Sequence, residues 1–225
     1  MLLNLEKGKI HKYIDYNKNI IILNPVITLK YIGVINSGSF GTVLKYYNNI
    51  TNNYYAVKEI KGDDMDIIEI ELNISLNIFN CKNLINQYPL YSEGKYLFLM
   101  EYCHGSIYDK TWLSDINIYK VLNVLIEEMI CILSKGYIYM DLKPEQVLYK
   151  GDRYIIGDLG SIGKLNSTFK NGNYIYNKLY SPPELNNINI YIDKKSGENI
   201  NVYQLGLMLL DYFTNMNEET LLISK

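Results

Sequence analysis

Three short blocks in the first half of the chain, KYIGVI at 30–35, TVLKYY at 42–47 and YYAVKEI at 54–60, are dense in branched and aromatic residues. Side chains of that kind suit a pleated, half-buried surface, so each block predicts a strand. The segments between them, NSGSFG and the Asn-rich NNITNN, tolerate left-handed backbone and predict turns. Residues 64–79 have helical length and good helix formers, and YLFLMEY at 96–102 reads as a buried strand. The second half changes period. Ile118, Val121, Leu122, Leu125, Met129, Ile132 and Leu133 recur at i, i+3, i+4 and i+7, which predicts an amphipathic helix over 117–135 with Gly136 at its C-terminal cap. INVYQLGLMLLDYFT at 200–214 predicts another helix, apolar nearly all round and therefore buried. Residues 1–29 form a mixed lead-in whose pattern assigns no element. A β-rich half followed by a helical half predicts an α+β chain of two lobes.

Composition narrows the function classes. With 225 residues, 48% hydrophobic and 20% charged, the chain can bury a sizeable core, which excludes intrinsic disorder. A net charge of −2 offers no basic patch, so no nucleic-acid partner is expected. There are 32 Ile, 27 Asn, 23 Tyr and 21 Lys against one Ala and one Arg, a bias toward A/T-rich codons. Residues with G/C-rich codons that persist against that bias are therefore informative. The three cysteines, Cys81, Cys103 and Cys131, are odd in number and lack paired spacing, so neither a disulfide nor a zinc site is expected. Asn4, Glu6 and Lys7 interrupt any signal-peptide core, and the apolar runs fall well short of the roughly 18–20 residues that span a bilayer. The expectation is a cytoplasmic protein with no membrane partner.

Candidate chemistry begins in INSGSFGTVLK at 35–45, a glycine-containing turn between two predicted strands. Glycines there let backbone N–H groups approach phosphate oxygens without a Cβ in the way. By itself such a hairpin is an ordinary turn. It runs into a strand, unlike a Rossmann fingerprint, and lacks the Gly-Lys-Ser/Thr ending of a Walker loop. Lys58 comes next in the third strand, two residues after Ala56, the one alanine, which leaves room for a flat ring. A lysine that anchors phosphate needs a carboxylate to hold it, and the next helix offers Glu69 and Glu71.

Together with motifs further along the chain, these residues resemble the eukaryotic-type protein kinase family. INSGSFGTV is similar to its Gly-rich loop, YAVK to its lysine strand and DLKPEQ (141–146) to its catalytic loop. GDLG (157–160) resembles the metal-binding motif, SPPE (181–184) the end of the activation segment, and NVYQLG (201–206) the start of the helix beyond it. The motifs stand in family order over about residues 30–215. The resemblance implies a two-lobed fold, with a β-rich N-lobe carrying one main helix (about 30–101) and a helical C-lobe (about 104–225) lacking its last helices. It implies ATP and Mg²⁺ as cofactors. It places Ile35, Asn36, Ser37, Gly38, Ser39, Phe40, Gly41, Thr42 and Val43 over the nucleotide, and Ala56, Met100, Glu101 and Cys103 around the adenine. Lys58 becomes the phosphate anchor, with Glu71 its better partner and Glu69 the alternative. Asp141 becomes the catalytic base, Lys143 the γ-phosphate lysine of Ser/Thr kinases, and Asp158 and Gln146 the metal ligands.

Several positions depart from the family. Asn36 replaces the first loop glycine, and Tyr139-Met140 replaces His-Arg before Asp141, which removes the partner of an activation-loop phosphate. Gln146 stands for Asn, Leu159 for Phe, Asn177 for Thr and Asn201 for a buried Asp. The resemblance implies phosphorylation of serine or threonine hydroxyls on protein substrates. The alternative is a pseudokinase that binds nucleotide or a partner protein without efficient transfer. A shortened C-lobe further implies a protein partner covering it, and the size and codon bias suggest a large DNA virus, with action in the host cytoplasm, or else an AT-rich parasite or bacterium.

Overall fold

The computed structural model describes residues 5–17, 19–23, 27–38, 41–61, 65–78, 80–109, 116–170, 177–186 and 189–214. The chain divides into two compact units, residues 1–80 with 85–103, and residues 81–84 with 104–225.

Unit one is built on one eight-stranded sheet. Its strands are β1 (His11–Lys12), β2 (Asp15–Asn17), β3 (Ile20–Ile22), β4 (Thr28–Ser37), β5 (Gly41–Asn48), β6 (Asn53–Ile60), β7 (Gln87–Ser92) and β8 (Lys95–Glu101). They lie in the order β1-β7-β8-β6-β5-β4-β3-β2. The three strand blocks read from the sequence are β4, β5 and β6, paired antiparallel. The lead-in supplies β1, β2 and β3, and the buried strand read at 96–102 becomes β8. β1 and β2 are its two opposite edges, yet only Tyr13 and Ile14 separate them in the chain. Three Cα steps reach at most about 11 Å, so the sheet must curl until its edges nearly meet. Tyr13 fills the seam, buried at 7% exposure, and its hydroxyl donates to the Ser92 and Lys95 carbonyls at 3.3 and 3.4 Å. Inside lies a core of Ile21, Leu29, Tyr46, Val57, Leu90, Leu97 and Leu99. Burial pushes the Tyr46 hydroxyl up to about 12.

The helix α1 (Met65–Asn77) realises the segment read at 64–79. Its buried positions include Ile68, Glu71 and Ser75, spaced i, i+3, i+7 on one face. A carboxylate therefore sits in its apolar stripe.

Unit two carries α2 (Ile118–Ser134), whose first turn is capped by the Asn117 side chain accepting from the Lys120 N–H at 3.1 Å. Gly136, at φ +83°, ends it in the left-handed region that glycine occupies freely. The strands of this unit are short: β9 (Gly105–Ser106), β10 (Tyr137–Tyr139), β11 (Val147–Lys150), β12 (Arg153–Ile156), β13 (Ile162–Lys164), β14 (Ser167–Lys170) and β15 (Asn189–Ile192). β10 pairs with β13 and β9-β11-β12 form a three-stranded sheet.

Two expectations are corrected by the fold. The last helix, α3, runs Lys194–Thr214, so it starts six residues earlier than its apolar pattern. It is also not buried all round. Ile200, Asn201, Gln204, Leu207 and Met208 face inward, whereas Val202 and Phe213 are exposed. The second correction concerns cysteine. Cys81 and Cys131 are joined in a disulfide across 50 residues, and Cys103 takes no part in it. Sequence spacing could not show this, because pairing depends on where the fold brings the two side chains. No described helix is long and apolar enough to cross a membrane.

Candidate active site

The sheet of unit one fixes, through its register, most of the residues expected on the nucleotide side. Val43 on β5 lies opposite Lys58 on β6, which lies opposite Phe98 on β8, while Ala56 lies opposite Met100. Directly opposed residues share a face, as do alternate residues along a strand. Val43, Ala56, Lys58 and Met100 therefore project from one surface. Asn36 joins it through its pairing with Val43. Glu101 ends β8 and Cys103 stands two residues later.

The turn between β4 and β5 carries the loop residues. Ile35, Asn36, Ser37 and Gly38 are exposed, and the Ser37 and Thr42 hydroxyls lie 3.2 Å apart. The Gly38 N–H donates to the Gly41 carbonyl at 3.0 Å, and Lys61 donates to the Gly38 carbonyl at 2.6 Å. Gly41 has a steric reason to be glycine, since a Cβ there would sit 2.5 Å from the Glu59 carbonyl oxygen. A side chain at Gly38 would meet nothing within 4 Å, so that stretch of backbone is open to approach. Ser39 and Phe40 lie outside the described residues.

Of the two carboxylates offered by α1, Glu71 is the one that pairs with Lys58. Glu71 is fully buried, and Gln87 on β7 holds its other oxygen at 2.6 Å while also reaching Ser75 Oγ at 3.0 Å. A buried charge needs both an ion pair and hydrogen bonds to be tolerated, and this one has both. Gln87 carries no motif, so nothing in the sequence marks it.

Unit two gathers the second group. Asp141 sits just after β10 and is 1% exposed. Its Oδ2 receives Lys143 Nζ at 2.7 Å and Gln146 Nε2 at 3.4 Å. Its Oδ1 has no hydrogen-bond partner among the described residues. Burial raises the Asp141 carboxyl above its ordinary range, and the Lys143 cation pulls it back. Asp158 adopts left-handed backbone, φ 49°, just before a 3-10 turn at Leu159–Ser161. Its Oδ2 accepts from Ser161 Oγ at 2.9 Å and from Gln146 Nε2 at 3.4 Å. Gln146 thus bridges the two carboxylates through its amide.

The segment leading into Asp141 is braced by groups with weaker sequence signals. Asn201 on α3 donates to the Tyr139 carbonyl at 2.7 Å, a bond that the ionised Asp of the family could not donate, while its Oδ1 has no partner among the described residues. Gln204, one turn on, donates to the Met140 carbonyl at 2.7 Å, a role no motif announced. The Tyr139 hydroxyl donates to the Gly157 carbonyl at 2.6 Å, tying the Asp141 strand to the residue before Asp158. Met140 is 1% exposed in an apolar cluster with Leu133, Ile138, Leu165 and Phe169. Asn177 turns its amide oxygen onto the Leu179 N–H at 2.8 Å.

The Asp158 carboxylate and the Gln146 amide carbonyl are hard oxygen donors of the kind Mg²⁺ takes. The face bearing Ala56 and Met100, the open Gly38 backbone and the Lys58–Glu71 pair fit a nucleoside triphosphate of the same family logic.

Comparison with known proteins agrees with the geometry. The family model for the protein kinase domain matches residues 29–218. A probable serine/threonine-protein kinase of Dictyostelium discoideum is 24% identical over 84% of this chain and 48% of its own length. A RAC family serine/threonine-protein kinase homolog of the same organism is 28% identical over 85% of this chain and 45% of its own. A candidate serine/threonine-protein kinase of Acanthamoeba polyphaga mimivirus is 28% identical over 72% of this chain and 28% of its own. The chain spans half the length or less of these relatives. By its motifs, its two units and its match over most of its length, the chain belongs to the protein kinase family.

Proposed function

We propose that the chain transfers the γ-phosphoryl group of ATP to serine or threonine hydroxyls of protein substrates. The observation that carries this reading is Asp141, a buried carboxylate with one oxygen held by Lys143 and the other unpartnered among the described residues. The unpartnered Oδ1 accepts the substrate hydroxyl proton as the hydroxyl oxygen bonds to the γ-phosphorus. The bond from phosphorus to the β,γ-bridging oxygen breaks, and ADP departs with that electron pair. Lys143 offsets charge on the phosphoryl group, and Lys58, fixed by Glu71, anchors the other phosphates. Mg²⁺, when bound through Asp158 and an oxygen of Gln146, supplies charge neutralisation on the triphosphate.

Lys143 and the names of the relatives support Ser/Thr acceptors. The mimivirus relative and the codon bias support a viral source acting in host cytoplasm. Exposed Tyr119, Ile126 and Ile130 on α2 support a protein partner on unit two. The test is transfer of label from γ-labelled Mg·ATP to a generic Ser/Thr peptide pool. Asp141→Asn is expected to lose about 10³-fold in rate, and equal signals from the two proteins would sink the reading.

A second reading rests on Gln146. Its amide nitrogen faces both carboxylates, and its extra methylene displaces the metal-ligating oxygen relative to Asn. On that reading the chain is a pseudokinase that binds nucleotide without efficient transfer. Saturable Mg·ATP binding with no transfer by the wild type, restored by Gln146→Asn, is its signature.

A further inference from the structure

We propose that Cys81 and Cys131 form a thiol–disulfide exchange site for small disulfides of the glutathione class, poised by the buried carboxylate of Glu128. The site is independent of the phosphoryl-transfer reading and lies wholly within unit two. Cys81 opens the segment 81–84, and Cys131 lies on α2 three residues after Glu128, on the same helix face. A Glu128 carboxylate oxygen lies within 4.8 Å of both sulfurs. Glu128 is 1% exposed. Its Oε2 accepts from the Asn83 N–H at 2.8 Å, whereas Oε1 has no partner among the described residues. The same segment is fastened further by the Ile156 N–H donating to the Asn83 carbonyl at 2.7 Å.

The unpartnered oxygen gives the pair its poise. A buried acceptor left without a donor is costly. In the disulfide neither sulfur carries a hydrogen to offer it. In the dithiol, two S–H donors stand beside the same carboxylate. Glu128 therefore favours the reduced pair and opposes the gain from closing a 50-residue loop. Three donors fall short of the four that a structural zinc site uses, and here the sulfurs are bonded to each other.

Exposure orders the steps. Cys131 is half-buried and Cys81 buried, so exchange starts at Cys131. Its thiolate attacks one sulfur of the small disulfide, forming a mixed disulfide and releasing one small thiolate, which takes up the Cys131 proton. Cys81 then gives its proton to Glu128 and attacks Cys131 Sγ. That forms the protein disulfide and expels the second small thiolate, which receives the proton from Glu128. Two protein thiols are oxidised and one small disulfide is reduced to two thiols. Burial raises the Glu128 carboxyl, bringing it closer to the range where it can accept and return a proton.

The experiment equilibrates the full chain in glutathione redox buffers, quenches with acid and counts alkylated cysteines by mass. With three cysteines in the chain, the reduced form carries three labels and the oxidised form one. The wild type is expected to convert between the two within millimolar glutathione, and Cys131→Ser to carry two labels in every buffer. Glu128→Gln keeps a carbonyl oxygen for Asn83 but removes the orphaned anion. It is expected to shift the midpoint about tenfold in favour of the disulfide, and Glu128→Asp to shift it less. A wild type that stays at one label or at three throughout would overturn the proposal. So would an unchanged midpoint in both Glu128 variants, or stoichiometric zinc retained by the reduced protein through chelator dialysis.

Discussion

Lys58 and Glu71 illustrate how much a single pairing carries. Glu71 is fully buried, and its charge is tolerated because Lys58 and Gln87 occupy its two oxygens. Removing one partner of a buried ion pair strands the other charge. Lys58→Met is therefore expected to destabilise the fold by about 3 kcal/mol in denaturant titration, and Lys58→Met with Glu71→Leu to recover most of that loss. Asp141 makes a second case. Burial raises its carboxyl and Lys143 lowers it, and only the deprotonated form can act as a base. Activity is thus expected to rise with pH along an acid limb lying above the ordinary carboxylate range. Lys143→Met removes the lowering influence, so the limb of its residual activity moves to still higher pH. A limb that stays in place in a kcat–pH profile would contradict this electrostatic assignment.

Among elements, the lead-in strands matter more than their length suggests. Tyr13 seals the seam of the rolled sheet while its neighbour Ile14 points outward, 59% exposed. Tyr13→Ala is expected to cost about 3 kcal/mol by thermal or chemical unfolding, and Ile14→Ala no more than about 0.5 kcal/mol. These strands are illegible in the sequence for a physical reason. Runs of two or three residues are too short to display a period of two, and β1 pairs with a strand as far along the chain as Leu90. The long strands β4, β5 and β6 are legible because they are dense in branched and aromatic residues, and the helix α2 because Ile118, Val121, Leu125, Met129 and Ile132 bury one repeating face. The start of α3 is hidden because Lys194, Lys195 and Glu198 are polar, so its first two turns lack an apolar stripe. The site divides in the same way. Glycines, Lys58, Asp141 and Asp158 can be read from ordered motifs, while Gln87, Gln204 and the Cys81–Cys131 bond depend on packing between distant segments.

For the whole molecule, ligand binding and stability are linked. Mg·ATP held at 100 times its Kd is expected to add about 2.7 kcal/mol to the unfolding free energy. For a chain of this size that is a rise of roughly 5–10 °C in Tm by scanning fluorimetry. The shift is expected to fall sharply on chelation of Mg²⁺ and to vanish in Lys58→Met. A pseudokinase and an active kinase share this outcome, so transfer alone separates them. The rolled sheet also sets a timetable for synthesis. Tyr13 leaves the ribosome early, yet Ser92, which accepts its hydrogen bond, is made 79 residues later. At about 5–20 residues per second that is a wait of roughly 4–16 s. Throughout it the first strand of the protein has no edge to pair with. Tyr13 therefore takes its place in the sheet among the last pieces of unit one, although it is made well before the strands it seals.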